Sequence, residues 1–369
     1  MSDLFLAGDL SHPPLLTAIL GKAQVMPEAA ILPGYRVMQV PHRPGTVLAP
    51  DDGSRAEGIV IRGLKVLERA RLDYFQAVMG QSRQRLQLAN GGWAETYLPI
   101  PPVADPEPWD APEWRARWAE TAGHAATEIL RHFRLTPAAR LRARLPSILS
   151  AAASRVLAQQ SAPTTLRRAM APEDVQVLSH EQPYAGFFAV DEYRLRHTRF
   201  DGQPSPVLNR SAFVSTDVVT VLPYDPVRDR VLLIEQFRIA PYARGDRQCW
   251  GLETIAGRIE PGEDLETTAR REALEEAGLT LGPLMRVGGY YPSPGAKTEY
   301  IHAFIGQADL PDGCAGLGGL DVEGEDIRAH LVSYQRLIDL LDSGEIENAP
   351  LILSVHWLAR HRETIGAGA

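Results

Sequence analysis

Apolar and polar positions along the first hundred residues alternate in short runs with turn signals between them. "DLFLAGDL" is an apolar run that ends at Gly8-Asp9, while "GYRVMQV" and "AEGIVIRGL" alternate with the period of two expected of half-buried strands. "LKVLERARLDYFQAVM" changes to helical spacing, and "WAETYLPI" closes the region as a further strand. The stretch "PIPPVADPEPWDAP" then carries six prolines from Pro99 to Pro112, a density that neither a helix nor a central strand can accommodate. A boundary is expected there. From about 112 to 170, "APEWRARWAETAGHAATEILRHFRL" and "TPAARLRARLPSILSAAASRVLAQQ" show helical spacing, with Thr136 predicted as an N-cap and Pro137 at N1.

From about 175 the pattern becomes mixed. "GFFAVDEYRLRHTRF" and "DVVTVLPYDPVRDRVLLIEQFRIA" predict long strands, the second pair turning at Pro226 and Asp229. "EYIHAFIGQA" and "AHLVSY" read as strands, followed by helices in "QRLIDLLDSG" and "APLILSVHWLARH". The expected class is α/β multidomain: a strand-rich unit over 1–100, a Pro-rich and helical linker over 101–174, and a mixed unit over 175–369.

Composition narrows the choice of partners. With 44% hydrophobic and 23% charged residues the chain is globular. A formal charge of −8 argues against a broad surface for nucleic acid or an anionic membrane, yet permits an anionic small substrate where a metal or arginine reverses the local field. The arginines Arg140, Arg142, Arg144 and Arg155 read as a solvated helical face. Cys249 and Cys314 are too few for a disulfide framework and lack zinc spacing. His356 and His361 read as a surface pair. The N-terminus has no basic leader, and no segment reaches 18 uninterrupted apolar residues, so a cytoplasmic protein without a membrane span is expected.

The densest chemistry lies in "GRIEPGEDLETTARREALEEAGL", residues 257–279, with six glutamates. Pro261-Gly262 predicts a turn, Asp264 or Glu263 an N-cap for a helix from about Leu265, and Gly278 its C-terminal stop. Ala269, Ala273 and Ala277 form one narrow face for close packing. Glu272, Glu275 and Glu276, spaced i, i+3, i+4, converge on another, and Glu263 can fold back toward them. Arg271 is placed to orient one of these carboxylates. Like charges at such spacing repel. An oxygen-only cluster suits a hard cation, Mg²⁺ or Mn²⁺, which commonly shares its shell with substrate phosphates.

These residues match the Nudix box G-x5-E-x7-R-E-U-x-E-E-x-G-U through Gly257, Glu263, Arg271, Glu272, Ala273, Glu275, Glu276, Gly278 and Leu279. With "PYAGFFAVDEYRLRH", "LPYDPVRDRVLLIEQFR", "YYPSPGAKTE" and "EGEDIRAHLVS", the region from about 175 to 363 resembles bacterial ADP-ribose pyrophosphatases. The resemblance implies a Nudix α/β/α sandwich that hydrolyses a diphosphate bridge with Mg²⁺ or Mn²⁺. It implies metal binding by Glu272, Glu276, Glu275, Glu263 and the carbonyl of Ala256. It places the water-activating base at Glu323, with Glu325 beside it, and substrate contacts at Phe187, Phe188, Arg210, Arg238, Glu299 and the substrate-marking Pro294. Phe187 and Phe188, read as neighbours in a strand, should face opposite ways, one toward the core and one free to stack a base. Dimers are usual in that family, which implies a homodimer through this half.

"LFLAGDL", "GYRVMQV", "DGSRAEGIVI" and "ARLDYFQAV" resemble the gamma-glutamylcyclotransferase-like fold, a small α+β barrel, over roughly residues 3–100. Gln76 stands where that family carries its ionisable acid, and it cannot shuttle a proton. The resemblance therefore implies a scaffold without cyclotransferase chemistry. Fusions of this kind resemble tellurite-resistance-associated proteins. ADP-ribose diphosphatase activity is the leading expectation. A nucleoside diphosphate sugar, NADH or a dinucleoside polyphosphate as substrate remains open, as does a non-catalytic nucleotide sensor.

Overall fold

A computed structural model describes residues 3–21, 26–320 and 324–366. The chain divides into two compact units, Met1–Ala169 and Met170–Ala369. The first contains strands β1 (Leu4–Ala7), β2 (Glu28–Gln39), β3 (Thr46–Ile61), β4 (Gln81–Gln87), β5 (Trp93–Pro99) and β6 (Glu107–Pro108). Its helices are α1 (Pro13–Leu20), α2 (Val66–Met79), α3 (Ala111–Arg117), α4 (Ala119–Arg131), α5 (Ala138–Arg142) and α6 (Leu145–Ala158). The strands form a six-stranded sheet in the order β4-β5-β1-β3-β2-β6, with β1 and β5 parallel.

β1 is buried on both faces, which is why it is a continuous apolar run rather than an alternating one. Phe5 and Ala7 join Leu32, Leu48, Ala56 and Val60 on one side. Leu4 and Leu6 meet the helices on the other. Gly8 follows at φ 63°, and a Cβ there would lie 2.1 Å from Thr46 Oγ1, so only glycine fits the turn. β4, "QSRQRLQ", has no apolar rhythm and forms at an edge through its pairing with β5.

The helices from 111 to 158 are not a linker. Trp114, Trp118, Ala122, Ile129, Leu141 and Leu149 enter the same core as Leu4, Leu72 and Phe75. Trp114 Nε1 donates to Pro44 O at 2.7 Å and the Tyr74 hydroxyl donates to Thr136 O at 2.8 Å. The proline run redirects the chain, and the amphipathic helices beyond it return to cover their apolar faces. Residues 1–169 thus form one unit where the sequence suggested a break near 100. Thr136 does not cap α5; the N-cap position is Pro137.

The second unit contains β7 (Val175–Ala185), β8 (Ala189–His197), β9 (Leu208–Val214), β10 (Val218–Asp225), β11 (Arg230–Phe237), α7 (Ile239–Arg244), β12 (Trp250–Glu253) and β13 (Ile255–Arg258). It continues with α8 (Leu265–Ala277), β14 (Leu284–Tyr290), β15 (Ile301–Gln307), β16 (Leu317–Gly318), β17 (Ile327–Ser333), α9 (Tyr334–Ser343) and α10 (Ala349–Gly366). β7-β8-β9 form an antiparallel sheet of their own. The main sheet runs β14-β15-β10-β11-β17-β16, with β12 on β11 and β13 on β10.

β10 and β15 are parallel in the middle of this mixed sheet and almost wholly buried, as strands covered on both faces must be. Leu222, Tyr224, Val231 and Leu233 pack with Leu337, Leu340, Leu351 and Val355 of α9 and α10. α8 packs against β13 and β10. Mixed α/β layering is what the sequence pattern predicts for this half. His356 is exposed, while His361 is half-buried, its Nδ1 2.8 Å from Trp357 O and its ring stacked on Trp357 at 4.1 Å. Both cysteines are free thiols.

Candidate active site

α8 is anchored at both ends by local chemistry. Asp264 is its N-cap, its Oδ1 accepting from Thr267 N at 2.7 Å, and Gly278 ends it in the left-handed conformation at φ 63°. Ala269 and Ala273 are completely buried, so the helix seats closely on the strands beneath it. Gly257 of β13 makes that approach possible: a Cβ there would fall 1.7 Å from Glu272 Oε1. The strand–helix contact thus depends on glycine and alanine.

Arg271 is the hub of the acidic cluster. Its Nε donates to Glu263 Oε1 at 2.9 Å, Nη1 to Glu272 Oε1 at 2.6 Å and to Glu275 Oε2 at 3.0 Å. Its Nη2 donates to Glu263 Oε2 and to Arg258 O, each at 3.1 Å. Glu263 also accepts from Thr268 Oγ1 at 2.8 Å, and it does fold back to the helix as its spacing predicts. Burial raises the Glu263 carboxyl, but the Arg271 and Thr268 hydrogen bonds outweigh it and hold the group below its ordinary value.

Glu276 and Glu272 are in the opposite state. Glu276 is 2% exposed, and Ala256 N donates to its Oε2 at 3.2 Å. Burial first, then the charges of Glu272 and Glu325, push its pKa up to about 9. Glu272 is pushed to about 7, again by burial first, with Glu275 and Glu325 adding to it against the pull of Arg271. Glu325 lies within the electrostatic reach of both carboxyls, and Leu320 N donates to its Oε2 at 3.1 Å. Glu323 lies outside the described residues.

The donor set is oxygen-only, which fits a hard divalent cation in kind. Two carboxyls whose burial and mutual repulsion oppose ionisation are groups that a cation would favour in their charged form. Among the described residues no three histidine, cysteine or acidic side chains are already drawn together as a metal cage. Arg271 holds Glu272 and Glu275 instead.

The other expected site residues separate into groups. Arg238 forms a two-pronged pair with Glu253, at 2.9 and 2.7 Å, so its fork is engaged rather than open. Burial would lower its pKa, but Glu253 first, then Glu276 and Glu325, raise it. Arg238 therefore stands within the field of the cluster. Glu253 was not singled out in the sequence, although a carboxylate inside the apolar run "WGLETIAG" is a signal of a buried partner. Glu299 accepts from Ser215 Oγ at 3.2 Å and from Lys297 Nζ at 3.4 Å. Pro294 is exposed in the loop before it. Arg210 lies on β9 and donates to Asn209 O at 2.8 Å.

Phe187 and Phe188 are corrected. They occupy the turn between β7 and β8, not a strand, so strand alternation does not set their directions. Gly186 breaks the expected strand, and the two rings meet edge-on at 4.7 Å. Phe188 leans on Phe213, also at 4.7 Å, while Phe187 remains 69% exposed. Phe213 and the nearby Arg258 carry no motif and were missed in the sequence.

Comparison with known proteins places these residues in a wider group. A family model described as "NUDIX domain" matches residues 214–354. The "ADP-ribose pyrophosphatase" of Escherichia coli (strain K12) is 40% identical over 203 residues, covering 55% of this chain and 96% of that protein. The "ADP-ribose pyrophosphatase" of Haemophilus influenzae is 35% identical over 188 residues, covering 50% of this chain and 86% of that protein. A "GDP-mannose pyrophosphatase" of Salmonella choleraesuis is 34% identical over 139 residues, covering 38% of this chain and 71% of that protein.

Proposed function

The chain belongs to the Nudix family, and from that premise we propose that it hydrolyses the pyrophosphate bond of ADP-ribose to AMP and ribose 5-phosphate. The observation that supports this reading is that Arg271 gathers Glu263, Glu272 and Glu275 on the helix that carries the buried Glu276, in a chain 40% identical to an ADP-ribose pyrophosphatase along nearly all of that relative.

Glu272, Glu275, Glu276 and the Ala256 carbonyl would hold Mg²⁺ or Mn²⁺. When bound, such an ion offsets diphosphate charge and lowers the pKa of a water in its shell. Arg271 keeps Glu263 ionised and aligned with the helix carboxylates. Arg238, already charged and fixed by Glu253, presents its remaining N–H groups to a phosphate oxygen as a preorganised donor. Glu325 adds negative charge to the field felt by Glu272 and Glu276. Glu323 is assigned the proton from water by sequence match alone. Arg210, Glu299 and Pro294 belong to the substrate side, and Phe187 supplies a stacking face for the base.

The exposed Val177, Leu178 and Tyr184 on β7 support a homodimer through the Nudix half. Among the described residues no helix is long and apolar enough to cross a membrane. Residues 1–100 are read as a gamma-glutamylcyclotransferase-like scaffold, of the kind fused in tellurite-resistance-associated proteins. The 2% exposed and non-ionisable Gln76 supports its lacking cyclotransferase chemistry. Product analysis after incubation with ADP-ribose, GDP-mannose, NADH and a diadenosine polyphosphate tests the substrate. The reading expects the highest kcat/KM for ADP-ribose, with AMP as a product. A higher value for any other member of the panel overturns it.

A further inference from the structure

An exposed phenylalanine ordinarily samples several rotamers, and a ligand that stacks on it must bear the cost of fixing one. Phe187 is exposed but not loose. Phe188 meets it edge-on from one side, and the Arg258 guanidinium carbon lies 4.5 Å from the centre of its ring and 5.7 Å from that of Phe188. Arginine over an aromatic face at this range is attractive. The ring is in contact with both a cation and a second ring, yet stays 69% exposed.

Arg258 is also fastened at its other end. It is the last residue of β13, paired with Val218 of β10, and its carbonyl accepts from Arg271 Nη2 at 3.1 Å. Through its main chain it belongs to the acidic cluster. Through its side chain it belongs to the aromatic turn. One residue therefore links a place for an anionic diphosphate to an aromatic ring that is 69% exposed. A ligand that satisfies both has an aromatic group at one end and phosphate at the other, which is the chemistry of a nucleotide.

We propose that Arg258 is a positioning residue that holds Phe187 as the stacking platform for the substrate's nucleobase, and so sets nucleotide affinity rather than the rate of bond cleavage. This rests on reading the acidic cluster as the diphosphate site. Because the cluster is met by the main-chain carbonyl, replacing the side chain leaves that hydrogen bond available.

The test uses the full chain with Mg²⁺, as wild type, Arg258→Met, Arg258→Lys, Phe187→Ala and the Arg258→Met/Phe187→Ala double variant. Titration calorimetry gives the affinities for AMP and for ribose 5-phosphate, and steady-state kinetics on ADP-ribose separate KM from kcat. Arg258→Met is expected to weaken AMP about fivefold to tenfold and to raise KM alike, with kcat within about twofold and ribose 5-phosphate unaffected. Arg258→Lys should recover much of the AMP affinity, and Arg258→Met should cost nothing further once Phe187 is alanine. Equal weakening of both ligands would make Arg258 a phosphate contact and overturn the proposal. Unchanged or undetectable AMP binding, or additive losses in the double variant, would overturn it too. If AMP follows the expected pattern while ADP-ribose is not cleaved, the substrate assignment fails and the role of Arg258 stands.

Discussion

Asp9 in the first unit and Glu276 in the second are both carboxyls sealed from solvent, at 6% and 2% exposure, and burial raises both. Their surroundings differ. Asp9 accepts from Thr46 Oγ1 at 2.5 Å and from Leu10 N at 3.0 Å, a neutral pocket that completes a turn. Glu276 has one backbone donor, at 3.2 Å, and the charges of Glu272 and Glu325 against it. A carboxyl buried among neutral donors settles its energy by keeping a proton. A carboxyl buried among other carboxylates is placed for a cation. On the proposed function, the same burial serves the fold in one unit and chemistry in the other.

The largest effect should come from removing that second kind of carboxyl. Glu276→Gln is expected to lower kcat/KM for ADP-ribose on the order of 10³-fold, the scale of several kcal/mol of lost transition-state stabilisation. Without divalent ions it should unfold at higher urea concentration than wild type above neutral pH. The raised pKa of Glu276 means that its contribution to stability is present at low pH and lost as pH rises toward about 9. Glutamine carries no such penalty. A variant that is both active and unstable would break the contrast with Asp9.

Arg271→Ala comes next. It releases Glu263, Glu272 and Glu275 together, and chemical denaturation without divalent ions should show the second unit weakened by about 2–3 kcal/mol. Arg271→Lys should restore less than half of this, because an ammonium cannot span three carboxylates and a carbonyl with one planar fork. Full restoration by lysine would reduce Arg271 to a counter-charge.

Asp9→Asn should act on the first unit alone and more weakly. Asp9 has a folded pKa of about 7 against an ordinary 3.8, so the native state binds the proton more tightly and stability falls as pH rises between those values. Hydrogen exchange of β1 and β3 amides in the full chain should show wild type losing about 2 kcal/mol from pH 5 to pH 8, and Asp9→Asn losing distinctly less. Hydrolysis should not respond. An equal pH slope in both proteins would remove the assigned difference between the two carboxyls.

The contrast also explains what could be read in advance. Glu263, Arg271, Glu272, Glu275 and Glu276 lie within 14 residues on one loop and helix, where spacing alone predicts convergence. Asp264 and Gly278 mark the helix ends by their local chemistry. Glu253 meets Arg238, and Arg258 and Phe213 meet the Phe187–Phe188 turn, through contacts between distant segments that no local pattern announces. Phe187 and Phe188 misled because an aromatic pair beside an alternating run resembles a strand, while Gly186 turns the chain. The helices from 111 to 158 misled for a related reason: a proline run marks a change of direction, and only the apolar faces beyond it reveal the return to the first core.

The most direct test of the central claim is hydrolysis of ADP-ribose by the full chain after its divalent ions are removed with a chelator and Mg²⁺ is then restored in steps. The account predicts that cleavage disappears, returns with Mg²⁺ as AMP and ribose 5-phosphate, and fails to return in Glu276→Gln over the same concentrations. Cleavage that persists in excess chelator, or that Mg²⁺ restores equally in both proteins, would contradict it.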